Sequence, residues 1–173
     1  DNVATNGAKL ILESLNITNS GHNDGPWNRH DINFACEVEM NNVVSDKALA
    51  LKAGATLKNT TITENNTSDV YAIWIQPNGQ TVTLENCNID SRAATDGRGI
   101  KIDEQYVDSP KKVILNVSNT TFKTEEKSAI LVKSAAGAEI VWGEGNNISK
   151  VAADKVNAVW VDEDWADYAD LVT

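Results

Sequence analysis

The run Asp96-Gly97-Arg98-Gly99-Ile100-Lys101-Ile102-Asp103-Glu104 is the densest set of side chains able to do chemistry in this chain. If Ile100 and Ile102 point into a core, strand alternation points Lys101 outward. Arg98 and Asp103 are then expected close to it. A lysine beside a carboxylate can serve as a general base next to a metal ligand, and calcium takes carboxylate oxygens of the kind Asp96 and Asp103 offer. An ordinary surface salt bridge accounts for the same pattern without any ligand. The only histidines, His22 and His30, lie with Asp24 and Trp27 in a long segment, residues 19–31. Long loops in compact domains are often functional, so Trp27 is a candidate ligand contact. A loop that shields the first coils explains the segment equally. Two histidines without a third ligand at zinc spacing do not make a structural zinc site. No nucleophile elbow, Cys/His pairing or phosphate loop occurs in the sequence.

The elements that must position these residues announce themselves by repetition. Leu84-Glu85-Asn86-Cys87-Asn88-Ile89 shows a frame, apolar at its first and sixth slots, that returns at residues 12–17, 38–43, 57–62, 117–122 and, weakly, 143–148. A flat strand would put those two slots on opposite faces, so the backbone must bend between them. The third slot holds Asn59, Asn86 and Asn119, with Ser14, Met40 and Gly145 in the other copies. Asn and Gly tolerate the left-handed conformation a bend needs. Stacked copies would let the Asn amides hydrogen-bond from coil to coil.

A second frame follows each copy: a small residue, then alternating apolar positions. It reads Ala48-Leu49-Ala50-Leu51, Ala72-Ile73-Trp74-Ile75, Gly99-Ile100-Lys101-Ile102, Ala129-Ile130-Leu131-Val132 and Ala158-Val159-Trp160-Val161, with Ile32-Asn33-Phe34 as a degenerate first copy. Leu49, Ile73, Ile100, Ile130 and Val159 are expected to form one inward column. Leu51, Ile75, Ile102, Val132 and Val161 form the next. The small residue suggests a tight corner. Two strand frames repeating every 20–33 residues or so define a solenoid. Helical periodicity is absent until residues 164–172, where Trp165, Tyr168 and Leu171 can share one side of a short helix. A solenoid needs a cap on its open end, and residues 162–173 are expected to supply it.

Composition narrows the partners. The 173 residues suit a single domain, residues 1–173, and the net charge of −10 disfavours nucleic acid and anionic membranes. Acidic polysaccharides would be repelled too, unless calcium bridged them. No stretch reaches the length of a membrane span. Cys36 and Cys87 fall in different frames two repeats apart, about 10 Å, beyond disulfide reach. Both are expected as free thiols. Residues 1–7 lead straight into the first repeat, and the chain reads as a fragment of a longer secreted protein.

The Asn-bearing frame, followed by short strands and irregular turns, resembles the right-handed parallel β-helix of the pectate-lyase-like superfamily, over about residues 7–162. The stretch Asn78-Gly79-Gln80-Thr81-Val82-Thr83-Leu84-Glu85-Asn86 is similar to uncharacterised secreted β-helix proteins of gut Bacteroides-type bacteria. The resemblance implies an all-β solenoid of about six coils. It also implies a candidate lyase centre in which Arg98 or Lys101 is the base and Asp96 and Asp103 hold calcium. The paired aspartates and Gly-His-Gly of the superfamily's hydrolases are absent here.

Within the second frame the outward column runs Asn33, Ala50, Trp74, Lys101, Leu131, Trp160. Trp74 and Trp160 are candidates to stack on sugar rings, whose C–H faces are apolar. Trp74, Lys101, Trp160 and Trp27 are therefore the candidate ligand residues. The leading expectation is a non-catalytic extracellular or surface module for adhesion or glycan binding. A calcium-dependent polysaccharide lyase is one alternative. A structural spacer that buries the outward aromatics against its own tail, a neighbouring domain or a second copy is another.

Overall fold

The structure, a computed structural model, describes residues 2–3, 7–18, 32–65, 71–93, 97–125, 128–161, 167 and 169–173. The chain is a right-handed parallel β-helix of about six coils. That hand is the one parallel crossovers take almost without exception. Three parallel sheets run its length. Sheet A stacks Asn2–Val3, Ile32–Phe34, Leu49–Leu51, Tyr71–Ile75, Arg98–Asp103, Ile130–Lys133 and Val159–Val161. Sheet B stacks Lys9–Glu13, Glu37–Asn41, Ala55–Lys58, Thr81–Glu85, Val113–Ser118 and Ala138–Trp142. Sheet C stacks six short strands, from Asn16–Ile17 to Asn147–Ile148. The strand Asn2–Val3, expected only as a lead-in, pairs with Asn33 and Phe34 and gives sheet A a seventh member.

The first frame is the corner between sheets B and C. Its third slot is left-handed in almost every coil: Ser14, Asn42, Asn59, Asn86 and Asn119 have φ of 51°, 56°, 50°, 55° and 48°, and Gly145 has 74°. An isolated left-handed residue costs least at Asn or Gly. Side-chain hydrogen bonds then link the coils. Asn42 Nδ2 donates to Ser14 Oγ (3.2 Å), Asn59 Nδ2 to Asn41 Oδ1 (2.9 Å) and Asn86 Nδ2 to Asn59 Oδ1 (2.7 Å). At the last corner a Cβ on Gly145 would lie 2.1 Å from Asn119 Oδ1, so any larger residue there must displace that amide as well as adopt a left-handed φ.

Two copies of the frame need correction. Sheet register aligns Met40, not Val38, with Leu12 and Leu57. The second copy is therefore residues 40–45, its bend residue is Asn42, and Met40 fills a first slot. The two-residue shift arose because Val38 and Met40 are both inward positions of one strand. The last copy starts at Trp142, which aligns with Val117, and takes one extra residue to reach Ile148, which aligns with Phe122.

Both columns of the second frame stack as expected, Leu49–Ile73–Ile100–Ile130–Val159 and Leu51–Ile75–Ile102–Val132–Val161. The small residue before them is a packing requirement. A Cβ on Gly99 would meet Phe122 Cδ1 at 2.5 Å, and Ala72, Ala129 and Ala158 are fully buried in the same core. Cys36 and Cys87 are buried and free. Burial pushes the Cys87 thiol above its ordinary value, and its Sγ lies 3.3 Å from the Leu57 carbonyl.

At the carboxy-terminal end Trp142 stacks on Phe122, with ring centroids 5.9 Å apart, and donates to the Ala153 carbonyl. The expected helix over residues 164–172 is not a regular amphipathic helix in its described part. Residues 169–171 form a tight 3₁₀ turn, after which Val172 pairs with Ala138. Ile140 N donates to Thr173 O at 2.7 Å, so the tail caps the last strand of sheet B by hydrogen bonding. Trp165 and Tyr168 lie outside the described residues. A single helical turn not expected from the sequence, Lys155–Ala158, is capped by Asp154 and leads into the last strand of sheet A.

Candidate functional site

The outer face of sheet A gathers the side chains that the coil does not need. Two columns build it. One is the outward slot of the second frame, Ala50, Trp74, Lys101, Leu131 and Trp160. The other lies just before the small corner residue and brings Tyr71 beside Arg98 in register. Simple alternation would turn Arg98 inward with Ile100. The corner at Gly99 reverses it, because the core has room there for no side chain beyond Phe122.

Lys101 and Asp103 meet as expected, with Nζ 2.5 Å from Oδ2 and side chains only 14% and 9% exposed. Lys101 Nζ also sits 5.5 Å from the centre of the Tyr71 ring. Asp103 Oδ1 accepts from Gln105 N at 2.9 Å, which forms the turn that follows. The pair is thus held on both sides by structural contacts. Arg98 departs from this group. Its Nε donates to Ser128 Oγ at 3.1 Å, and its guanidinium carbon lies 4.2 Å from the centre of the Trp160 ring.

Trp74 points outward but is not an open platform. It is 4% exposed, between Tyr71 (centroids 6.1 Å apart) and Tyr106 (6.4 Å), and its Nε1 is 3.4 Å from the Asp103 carbonyl oxygen. Its neighbours Ala48 and Ala50 are small enough to let the indole lie against the sheet. Leu131 is 3% exposed. Of the two tryptophans offered as sugar-stacking candidates, only one has an open ring. Trp74 is a packing residue, and Trp160, 37% exposed, remains accessible. Asp96, Trp27, His22, His30 and Asp24 lie outside the described residues. Among the described residues no three His, Cys, Asp or Glu side chains converge as metal ligands.

Beside Trp160 lies a hollow of about 420 Å³, lined by Arg98, Ser128, Val151, Val156, Asn157, Val159 and Trp160. It combines an aromatic ring, a cation, a hydroxyl and an amide with an apolar floor, and Val156 on its rim is 87% exposed. Ser128 and Asn157 escaped the sequence reading. Their signal was present: Tyr71, Arg98, Ser128 and Asn157 each precede the small residue of the second frame. Tyr106 was also missed. Its left-handed φ of 68° sits in an irregular turn with no repeat to mark it.

Fold and face together define a non-globular class of protein, a parallel β-helix with one aromatic-basic side. No family model matches the chain, and no curated protein or solved structure matches it.

Proposed function

We propose that the chain is a non-catalytic extracellular or surface β-helix module that binds carbohydrate in the hollow at Trp160. One observation carries the reading: a partly exposed indole shares an open hollow with the polar side chains of Arg98, Ser128 and Asn157. A sugar ring presents an apolar C–H face and equatorial hydroxyls, which suit an aromatic surface edged by hydrogen-bonding groups. The volume lies within the range of small-ligand sites. Kinship with the pectate-lyase-like superfamily, on the Asn-bearing corner and parallel coils, belongs to the same proposal, as does a secreted or cell-surface location.

The lyase alternative has less geometric support. Of its two candidate bases, Lys101 is kept from substrate by an ion pair with Asp103 and a mostly buried setting, and Arg98 is 9% exposed with its Nε donating to Ser128 Oγ. The spacer alternative draws support from the burial of Trp74 and Leu131, but leaves the open hollow unused.

A glycan array probed with the intact chain and with Trp160→Ala tests the reading. Binding that weakens about tenfold or more in the variant supports it, since one lost stacking contact and its neighbours are worth that much. An intact chain that captures no glycan overturns it.

A further inference from the structure

One wall of the hollow at Trp160 is the helical turn Lys155–Ala158, and the residue that caps this turn governs what the wall presents. Asp154 gives both carboxylate oxygens to a single residue. Its Oδ1 accepts from Asn157 N at 2.8 Å, and its Oδ2 accepts from Asn157 Nδ2 at 2.8 Å. The first bond is the cap, which needs only one side-chain oxygen. The second bond acts on the Asn157 amide, whose oxygen and nitrogen diverge from one carbon. With Nδ2 held against Asp154, Oδ1 is turned away from it, and among the described residues that oxygen accepts from no donor. A side-chain amide can offer a ligand an acceptor or donors, according to which end faces it. Asp154 makes Asn157 an acceptor.

Ser128 stands beside Asn157. Ala129 N donates to Ala158 O at 2.9 Å, and the two residues immediately precede the members of that pair. Ser128 is 7% exposed, and its Oγ accepts from Arg98 Nε at 3.1 Å. That contact uses a lone pair and leaves the hydroxyl proton for another acceptor. The hollow therefore sets one donor and one acceptor side by side, next to the Trp160 ring. A sugar hydroxyl both donates and accepts, so a ring lying on the indole can satisfy the two through neighbouring hydroxyls. A ligand atom that only accepts would leave Asn157 Oδ1 covered and without a donor, which costs binding.

We infer that Asp154 is a positioning residue that sets the specificity of the hollow: by holding Asn157 Nδ2 it presents Oδ1 to the ligand and selects a sugar with a hydroxyl donor at that place. The inference rests on the carbohydrate reading and deepens it by naming the group the ligand must bring. Asp154 itself does not line the hollow and acts through Asn157.

Asp154→Asn tests this. Asparagine caps a helical turn as well as aspartate does, so the fold is kept. Its amide nitrogen now stands where Oδ2 stood, and Asn157 must reverse its own amide to keep the bond, which turns Nδ2 toward the ligand. The probes are methyl glycosides of glucose, galactose and mannose, each beside analogues in which a single hydroxyl is replaced by fluorine, which cannot donate. Binding is followed by NMR titration, with circular dichroism as the check on folding. The intact chain binds at least one parent glycoside, and fluorine at one position weakens it by about tenfold. In Asp154→Asn the parent glycoside binds more weakly and the same fluorine costs less than about twofold. Asp154→Ser, which also caps but cannot hold the amide, shrinks the fluorine penalty as well. A chain that binds none of the glycosides overturns the carbohydrate reading and this inference with it. Binding in which no fluorine position is penalised, or in which both variants keep the full penalty, overturns the inference alone.

Discussion

The outer faces of sheets A and B are carried by the same kind of backbone, parallel strands stacked coil upon coil, and they are furnished in opposite ways. One column on sheet B runs Ile11, Glu39, Thr56, Thr83, Asn116, Val141. It meets water, and the charges on this sheet pair along the surface, as Lys58 does with Glu85 at 2.7 Å with both side chains about half exposed. Strands there alternate buried and exposed positions. On sheet A, Tyr71–Ile75 is buried at every position, and the Lys101–Asp103 pair is nearly so. A strand covered on both faces loses its alternation. The contrast separates what the coil requires from what it merely carries. The inward columns are equivalent in the two sheets, so the two differ in what their outer faces carry.

The sharpest way to break the comparison is to truncate one outward residue on each face. Trp74→Ala should cost about 3–5 kcal/mol, as removal of a buried aromatic does. Thr56→Ala, at an outward position of sheet B, should cost less than about 1 kcal/mol. Urea unfolding of both variants measures the difference, and similar costs would erase the distinction between the faces. The ion pairs should follow the same order. Asp103→Ala leaves Lys101 without its carboxylate in a mostly buried setting and should cost about 3 kcal/mol. Lys58→Ala breaks an exposed pair and should cost far less than Asp103→Ala, shrinking further in high salt.

The corner between sheets B and C should respond more modestly. Asn86→Ala loses the bond to Asn59 and puts alanine at a φ of 55°, for a cost of about 1–2 kcal/mol. Asn86→Gly should recover part of it by relieving the backbone term alone. Thermal melts of the two variants separate strain from hydrogen bonding.

The smallest expected effect is one of pH. The Arg92 guanidinium makes two hydrogen bonds to Asp90 on sheet C, Nε to Oδ1 at 2.9 Å and Nη2 to Oδ2 at 2.7 Å, and these, with a bond from Arg92 N, hold the Asp90 carboxyl below its ordinary value. A depressed carboxylate stabilises the fold above the pKa it has when unfolded, and that contribution is lost as pH falls through the folded value. With Arg92 largely in solvent it should be under about 1 kcal/mol. Stability of Asp90→Asn should therefore match the parent more closely at acid pH than at neutral pH. A gap that widens on acidification would show the sign to be wrong.

Much of this molecule could be read before any coordinates. The inward columns follow from the apolar frames, and the left-handed corners from Asn59, Asn86 and Asn119. The misaligned frame at residues 38–43 shows the limit, because Val38 and Met40 are both inward and hydrophobicity alone does not tell which one opens the corner. Only the hydrogen-bonded register does. The site was legible in part. That Lys101 would face out beside Asp103 followed from alternation. That Arg98 would leave them for Trp160 did not, because it depends on a corner set by how closely Phe122 approaches Gly99.

Local patterning determined the coil of this protein: which side chains face in, where the backbone turns and how many times the unit repeats. These are properties of neighbours along the chain, and periodicity records them. Whether an outward residue is open or covered depends on segments distant in sequence crossing the same face. That was left to the tertiary structure, which set Tyr106 against Trp74, kept Trp160 accessible and brought Arg98 and Ser128 to its side.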